Sequence, residues 1–299
     1  MMGERMRTHH GLDVGLPVSP LRYAAFLRAT LAVLSGAPRH PGRFGVLEAG
    51  LAAAPPGLGI ELGVYRGASL SHVARRQPWR RFHGFDSLSG FPEDGRPDWR
   101  HDFSLRRAPR LPPNCTLHVG FFEQTLPPFL ARLEKPIGLV NLDCDIHSSA
   151  RFALLALAPH LRPGMVVHVD EAVNYDTWIW NEMLALFEML EASGLGIAWI
   201  ARAGAVRSLE QTLALLEAGR YPAWADDVAA GFARGAVGVL TAQQVPLDLA
   251  GAVGVVPRLI ARTAAHVGGT QRRRDCHPLA ADRPPPPRLA VWRRWLRRR

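Results

Sequence analysis

The sequence has few cysteines and no long hydrophobic run. Its three cysteines, Cys115, Cys144 and Cys276, are widely spaced and odd in number. This pattern excludes a disulfide framework and a zinc knuckle, and it favours a reducing compartment. No apolar run approaches the roughly 20 residues of a transmembrane helix, and residues 1–11 lack the apolar region of a signal peptide. We therefore expect a cytoplasmic protein without a transmembrane segment.

The body of the chain has little excess charge of either sign. The net charge is +10, but residues 271–299 alone contain ten arginines and two aspartates, which gives this segment +8. A nucleic-acid-binding protein would be expected to spread basic residues over its body, so no specific nucleic-acid partner is predicted. The Pro/Arg-rich tail is predicted to be disordered and solvated. The alternative is weak contact of its tryptophans and arginines with an anionic surface.

Short apolar runs alternate with helical patterns along most of the chain. With 299 residues and 47% hydrophobic content, the chain can bury a large core. Strands are predicted near residues 59–62, 81–85, 115–119, 137–142, 165–169, 196–201 and 236–241. Such alternation is typical of a parallel sheet covered by helices on both faces. We predict an α/β, Rossmann-like, doubly wound fold with a mostly parallel seven-stranded sheet and N-terminal helical additions.

The same patterns predict a division of the chain into four segments. Residues 1–56 form an N-terminal helical extension, and residues 57–245 form the Rossmann-like domain. A helical stretch at about 206–235 interrupts the last two predicted strands and is interpreted as an insertion. Residues 246–270 form a C-terminal extension, and residues 271–299 form the basic tail.

The first functional signal is a glycine turn with the sequence Glu-Leu-Gly-Val-Tyr-Arg-Gly at Glu61–Gly67. It lies between a predicted strand and a predicted helix. Gly63 and Gly67 allow the backbone to approach a ligand at the helix N-terminus. The spacing E-x-G-x-x-x-G differs from the G-x-G-x-x-G of dinucleotide-binding folds, which disfavours an NAD-type oxidoreductase. An ordinary strand-to-helix turn is the other interpretation.

The second signal is Asp86, which ends the next predicted strand 19 residues after Gly67. In nucleotide-binding α/β folds, an acidic residue about 20 residues past the glycine turn binds the ribose hydroxyls. Ribose binding is therefore predicted for Asp86. The alternative is an Asx turn before Ser87.

With these two signals, the sequence resembles the class I S-adenosylmethionine-dependent methyltransferases. Three further motifs narrow the resemblance to the macrocin O-methyltransferase (TylF-type) family over about residues 57–205. They are Gly84–Glu93 (GFDSLSGFPE), Gly120–Pro127 (GFFEQTLP) and Asn141–Asp145 (NLDCD) with Asp170-Glu171. The resemblance implies S-adenosyl-L-methionine as cofactor and a small-molecule hydroxyl acceptor, such as a sugar or a glycosylated natural product. A non-catalytic Rossmann-like binding module is the alternative, although such a module could lose the acidic motifs.

The resemblance also implies which residues contact the cofactor and whether copies associate. In such families the N-terminal helices can cover the active site or mediate dimer contacts. The resemblance therefore leaves open whether the chain forms a homo-oligomer. An apolar wall for adenine is one interpretation of the two phenylalanines after Gly120, and core packing is the other. The predicted cofactor-binding residues are Glu61, Gly63, Tyr65, Gly67, Ser69, Asp86, Ser87, Gly120, Phe121, Phe122 and Asp143.

Acidic residues follow both of the next two predicted strands. Neighbouring parallel strands lie about 4.8 Å apart, so carboxylates at their ends can converge on one cation. Oxygen ligands suit Mg²⁺, and the resemblance also implies magnesium. Asp143, Asp170 and Glu171 are the predicted ligands, with Asp145 as a supporting or substitute ligand. The alternative is that these acids cap helices and form ion pairs.

Methyl transfer to an alcohol needs a base, because the hydroxyl stays protonated at neutral pH. His147 is the predicted catalytic histidine, although it stands where the family pattern has tyrosine. His168 is ranked below it, because a histidine in a strand is more often part of the core. Asp143 is an equal candidate if no metal binds.

Overall fold

The computed structural model describes residues 6–7, 13–14, 19–92, 103–244, 246–250 and 259. The predicted basic tail and most of the predicted 246–270 extension lie outside these residues. At the N-terminus, β1 (Met6–Arg7) pairs antiparallel with β2 (Asp13–Val14). None of the described helices is both long enough and apolar enough to cross a membrane.

Helices α1 (Pro20–Gly36) and α2 (Gly42–Ala53) precede the main sheet. The remaining elements are β3 (Leu58–Leu62), α3 (Ala68–Arg76), β4 (Phe82–Asp86), β5 (Cys115–Val119), α4 (Phe122–Leu130), β6 (Ile137–Leu142), α5 (His147–Leu157), β7 (Val166–Val169), α6 (Glu182–Ser193), β8 (Gly196–Arg202), α7 (Leu209–Glu217), α8 (Trp224–Ala229) and β9 (Ala236–Thr241). The helices α7 and α8 occupy the stretch interpreted as an insertion, and that interpretation stays a prediction.

Seven strands form one sheet in the order β5-β4-β3-β6-β7-β9-β8. The first five are mutually parallel, whereas β9 is antiparallel to both of its neighbours. Each predicted strand is present, and its bounds differ from the prediction by at most one residue at either end. The predicted Rossmann-like, mostly parallel sheet is therefore confirmed.

Both faces of the sheet are covered by helices. Strands β6 and β7 are buried along their whole length, as expected for apolar runs between two helical layers. Side chains of α1, α4, α5 and α6 pack on one face, and those of α2 and α3 pack on the other. Each large apolar side chain buried in this way contributes about 1.5–3 kcal/mol.

The N-terminal helices are part of this packing. On α1, the rings of Tyr23 and Phe26 lie 5.1 and 5.0 Å from the ring of Phe187 on α6. On α2, a methyl group at Gly50 would lie 2.8 Å from the Val237 side chain, so glycine allows the helix to lie close to the sheet. This close approach anchors α2 on β7 and β9.

The carboxyl ends of β3, β4, β5, β6 and β7 share one edge, because these strands are parallel. In open α/β sheets this edge is where ligands bind. The segments that leave these strands therefore determine the chemistry available to the molecule.

Candidate functional site

A cavity of about 590 Å³ opens at this edge. Its wall includes most of the residues predicted from sequence, namely Gly63, Tyr65, Ser69, Asp86, Ser87, Gly120, Phe121, Phe122, Asp143, Asp170 and Glu171. Glu61, Gly67 and His147 are not among the described residues that form the wall. The structure thus brings together residues that follow five different strands. The first of them, Gly63, and the last, Glu171, are more than 100 positions apart in the sequence.

The glycine turn has a shape that requires glycine. Gly63 has φ +89°, and a Cβ there would lie 1.8 Å from the carbonyl oxygen of Asp143. Gly67 has φ +73° and precedes α3, so it shapes the turn without forming the wall. The turn is held by hydrogen bonds from the Gly63 amide to the Phe85 carbonyl (3.0 Å) and from the Gly67 amide to the Val64 carbonyl (2.8 Å).

Asp86 braces the glycine turn while it faces the cavity. Its Oδ2 accepts hydrogen bonds from the amides of Val64 (2.8 Å) and Tyr65 (2.7 Å). Its Oδ1 accepts from the Leu88 amide at 2.7 Å, so the Asx turn considered from the sequence is also present. A carboxylate has about four acceptor positions, so these three bonds leave capacity for about one hydroxyl group of a ligand.

Aromatic side chains form one side of the cavity. The Tyr65 ring meets the Phe103 ring edge to face at 5.2 Å, and Phe103 lies 5.5 Å from Phe91. Phe121 and Phe122 follow β5 and also contribute to the wall. The sequence analysis did not identify Phe91 or Phe103, although Phe91 belongs to the GFDSLSGFPE motif.

Glu61 lies below the cavity floor rather than in the wall. Its carboxylate accepts hydrogen bonds from Ser69 Oγ (2.9 Å) and Asn141 Nδ2 (2.8 Å). Asn141 Oδ1 in turn lies 2.6 Å from His168 Nδ1. All four side chains are at most 4% exposed. Glu61, Asn141 and His168 lie opposite one another in register on β3, β6 and β7. Ser69, which Glu61 holds, does line the cavity, and the contact of Glu61 with the cofactor stays a prediction.

The same network holds His168 in the core of the sheet. Burial lowers the pKa of His168 to about 4, and its ring is wholly enclosed. Its Nδ1 is engaged by Asn141, which is a neutral partner. The lower rank that the sequence analysis gave this histidine agrees with its position in the core.

We expect the network to make the stability of the protein depend on pH through Glu61. Burial raises the pKa of Glu61 from 4.5 to about 7, although bonds from Asn141 and Ser69 act in the opposite direction. Between these pH values the folded state retains a proton that the unfolded state releases. The free energy of unfolding should therefore fall by about 3 kcal/mol as pH rises through this window.

Denaturant unfolding at pH 5 and pH 8 tests this expectation. Glu61→Gln should make the difference between the two pH values smaller, because its amide carries no titrating proton. Glu134→Gln, at an exposed glutamate, is the matched control and should leave the difference unchanged. An unchanged pH dependence in Glu61→Gln would show that Glu61 does not carry it.

The carboxylates predicted to bind magnesium are paired with arginines. Arg43, in the first turn of α2, contacts Asp143 Oδ2 through Nη2, and its Nε lies 3.3 Å from Asp170 Oδ1. Arg234 contacts Glu171 Oε1. No group of three or more His, Cys, Asp and Glu side chains in the described part of the chain is arranged to hold a metal ion. The predicted Asp143, Asp170 and Glu171 ligand set does not fit this arrangement, because the Arg43 guanidinium lies between Asp143 and Asp170, and Arg234 is paired with Glu171.

The loops that carry these acids are tied together by Glu182, the first residue of α6. The Oε1 of Glu182 accepts from the amides of Cys144 (2.9 Å) and Asp145 (3.2 Å), and Oε2 accepts from the Glu171 amide (3.1 Å). Asp145 has φ +65°, a conformation that aspartate tolerates better than most residues. One fully buried side chain therefore sets the relative positions of the loops after β6 and β7.

His147 is directed away from the cavity. Its Nε2 lies 3.0 Å from Glu188 Oε2 on α6, and the side chain is 8% exposed. The prediction of His147 as the catalytic base is therefore not supported, because the histidine joins α5 to α6. Asp143, the equal candidate, does face the cavity. Burial and the Asp170 carboxylate raise the pKa of Asp143, while Arg43 offsets part of this rise.

Comparison with known families gives a match over part of the chain. Residues 60–172 match the family model described as a methyltransferase domain. This range begins within β3 and ends shortly after β7, so it contains the glycine turn, Asp86 and the acidic loops. No curated protein sequence matches the chain at a significant level.

Several solved structures are similar to the chain. The calicheamicin methyltransferase CalS11 is 23% identical, with 52% of this chain and 72% of that chain covered and a TM-score of 0.42. The O-methyltransferase NovP is 19% identical, with 60% and 96% covered and a TM-score of 0.41. The O-methyltransferase TomG from Streptomyces achromogenes, in complex with SAM, is 17% identical, with 75% and 90% covered and a TM-score of 0.39.

Proposed function

We propose that the chain is an S-adenosylmethionine-dependent O-methyltransferase that acts on a hydroxyl of a small molecule, such as a sugar or a glycosylated natural product. One observation carries the proposal. Within the stretch that matches a methyltransferase domain, a glycine turn braced by Asp86 opens into a cavity that also exposes Asp143. Membership of the macrocin type remains a proposal that rests on the motifs Gly84–Glu93, Gly120–Pro127 and Asn141–Asp145.

The residues around the turn suit the methyl donor. Gly63 lets the turn lie against the Asp143 backbone at the sheet edge, and the Asp86 carboxylate has acceptor capacity for a ribose hydroxyl. Tyr65, Phe121 and Phe122 offer apolar and aromatic surface for adenine. When bound, the donor supplies an electrophilic methyl group on a sulfonium, so the protein needs to add positioning and activation of the acceptor.

Asp143 is the residue best placed to activate the acceptor. It leaves the end of β6 next to the glycine turn, so an acceptor hydroxyl in the cavity can lie between its carboxylate and the donor site. As the hydroxyl oxygen forms its bond to the methyl carbon and the carbon–sulfur bond breaks, Asp143 accepts the hydroxyl proton.

Titration calorimetry with S-adenosylmethionine tests the first half of the proposal. We expect saturable binding of S-adenosylmethionine and no comparable binding of NAD⁺. Asp86→Ala should weaken the binding by about 10- to 100-fold, because it removes both the ribose acceptor and the brace on the turn. Binding of NAD⁺ in preference to S-adenosylmethionine would contradict the proposal.

Asp86→Asn separates the two contributions of Asp86. Its amide oxygen can still accept from the Val64 and Tyr65 amides, whereas its NH₂ group cannot accept from ribose. We expect thermal stability to lie between those of the wild type and Asp86→Ala, because the Leu88 amide loses its acceptor while the brace on the turn stays, and donor affinity to be still reduced. If Asp86→Asn bound the donor as tightly as the wild type, Asp86 would serve only to hold the turn.

A further inference from the structure

The arginine at the centre of the acidic edge belongs to the N-terminal extension. Arg43 enters the cavity from the first turn of α2, and its side chain is 41% exposed. Its Nη2 and Nε reach two carboxylates that leave neighbouring strands, Asp143 after β6 and Asp170 after β7. A divalent ion bridging the ends of β6 and β7 would have to occupy this same position.

The arginine is a stable occupant of that position. A guanidinium offers several donors in a rigid plane and keeps its charge at all pH values at which proteins are folded. Burial lowers the pKa of Arg43, but the nearby Asp143 and Asp170 carboxylates more than offset this effect, so its pKa is raised. The third carboxylate, Glu171, has its own partner in Arg234, whose guanidinium also lies 4.9 Å from the Tyr175 ring.

We propose that Arg43 is the resident cation of this site, standing between Asp143 and Asp170 in place of a divalent metal and positioning both carboxylates toward the acceptor. The proposal deepens the proposed function, on which its catalytic part rests. Arg43 is a positioning residue, because it acts through Asp143. Its consequence is that methyl transfer needs no divalent metal, in contrast to the expectation from the family resemblance.

Binding of Mn²⁺ alone, followed by electron paramagnetic resonance on the full chain, tests the proposal without donor or acceptor. The wild type should bind no Mn²⁺ at this edge, since the Arg43 guanidinium already occupies the position between the two carboxylates. Arg43→Ala should gain Mn²⁺ binding, with an affinity at least about tenfold above the detection limit that the wild type does not reach. The reason is that two carboxylates are then left without their cation. Adding Asp143→Asn to Arg43→Ala should abolish the gain and so assign it to this edge.

Two further variants make the outcome specific. Arg43→Lys keeps the positive charge and should exclude Mn²⁺ as the wild type does. Arg28→Ala removes an arginine paired with Glu210 away from the cavity, and it should leave Mn²⁺ binding unchanged. Thermal melting of each variant identifies any that fails to fold. If Arg43→Ala fails to fold, Arg43→Lys still tests the charge requirement.

The proposal is overturned if the wild type binds Mn²⁺ and Asp143→Asn abolishes that binding, since a metal then displaces Arg43. It is also overturned if folded Arg43→Ala gains no binding. Methyl transfer measured in excess chelator should be undiminished, and loss of turnover on chelation would reject the metal-free site. Failure to bind S-adenosylmethionine would reject the proposed function while leaving the Mn²⁺ result to judge Arg43.

Discussion

Gly63→Ala should lower the stability of the protein by about 3–5 kcal/mol and abolish donor binding. At φ +89° any L side chain is strained, and the added Cβ would lie 1.8 Å from the Asp143 carbonyl oxygen and 2.7 Å from its carbon. Both contacts are with backbone atoms of Asp143, whose amide donates a hydrogen bond to the Leu62 carbonyl (2.9 Å). The neighbouring loop cannot give way without breaking the junction of β3 and β6.

Thermal melting and donor titration together check this result. A loss of this size corresponds to a fall in Tm of about 10 °C for a domain of this length. Gly194→Ala is the matched control, because Gly194 has φ +71° at the end of α6 but no atom within 4 Å of the added Cβ. We expect Gly194→Ala to cost only about 1–2 kcal/mol of backbone strain and to bind the donor normally. Equal losses in the two variants would contradict the role of the close contact.

Asp143→Asn should reduce turnover by at least about 100-fold while donor affinity changes by less than about threefold. The amide matches the carboxylate in size, so the glycine turn and the Asp86 brace keep their shape. It cannot accept the acceptor's proton at neutral pH. The expected result is therefore a large fall in kcat with little change in the binding of S-adenosylmethionine.

Transfer of a labelled methyl group to a hydroxylated acceptor, found by screening sugars and glycosylated natural products, measures this effect. His147→Gln is the matched control, since the histidine faces Glu188 on α6 rather than the cavity. It should retain most of the turnover if folded. A normal rate in Asp143→Asn, or a selective loss of rate in a stable His147→Gln, would transfer the role of base away from Asp143.

The strands of the fold could be predicted because local signals agree with the global arrangement. Buried runs such as Ile137–Leu142 are apolar except for Asn141, and glycine and acidic residues mark the points where strands end. The parallel arrangement then brings Asp86, Asp143 and Asp170 to one edge, and the structure shows all three in one cavity. These residues lie close together because the strands that they follow are parallel. The alternation of strands and helices in the sequence predicts that parallel arrangement.

The charge partners within the site could not be predicted in the same way. Arg43 lies 100 positions from Asp143, in a helix whose sequence contains no motif, and only the docking of α2 brings it to the carboxylates. His147 illustrates the reverse error. It follows the acidic motif closely in sequence, but the first turn of α5 directs its ring toward α6. The direction of a side chain at a helix start depends on packing, which spacing in the sequence does not specify.

The sequence contains a signal for the buried network. Glu61, Asn141 and His168 are polar residues in three strands whose other residues are almost all apolar. Once the strand order is known, their register places them side by side. Polar residues at matching positions of adjacent buried strands therefore predict a hydrogen-bonded row across a sheet.

The contribution of α2 to the acidic edge affects how the protein can be divided. A fragment that began at residue 57 would retain the glycine turn, Asp86 and the seven strands, and by its sequence it would look complete. It would lack the guanidinium that separates Asp143 from Asp170, so two negative charges would face each other across the gap between β6 and β7. Helix α2 with Arg43 therefore belongs to the minimal unit in which this chemistry can be studied.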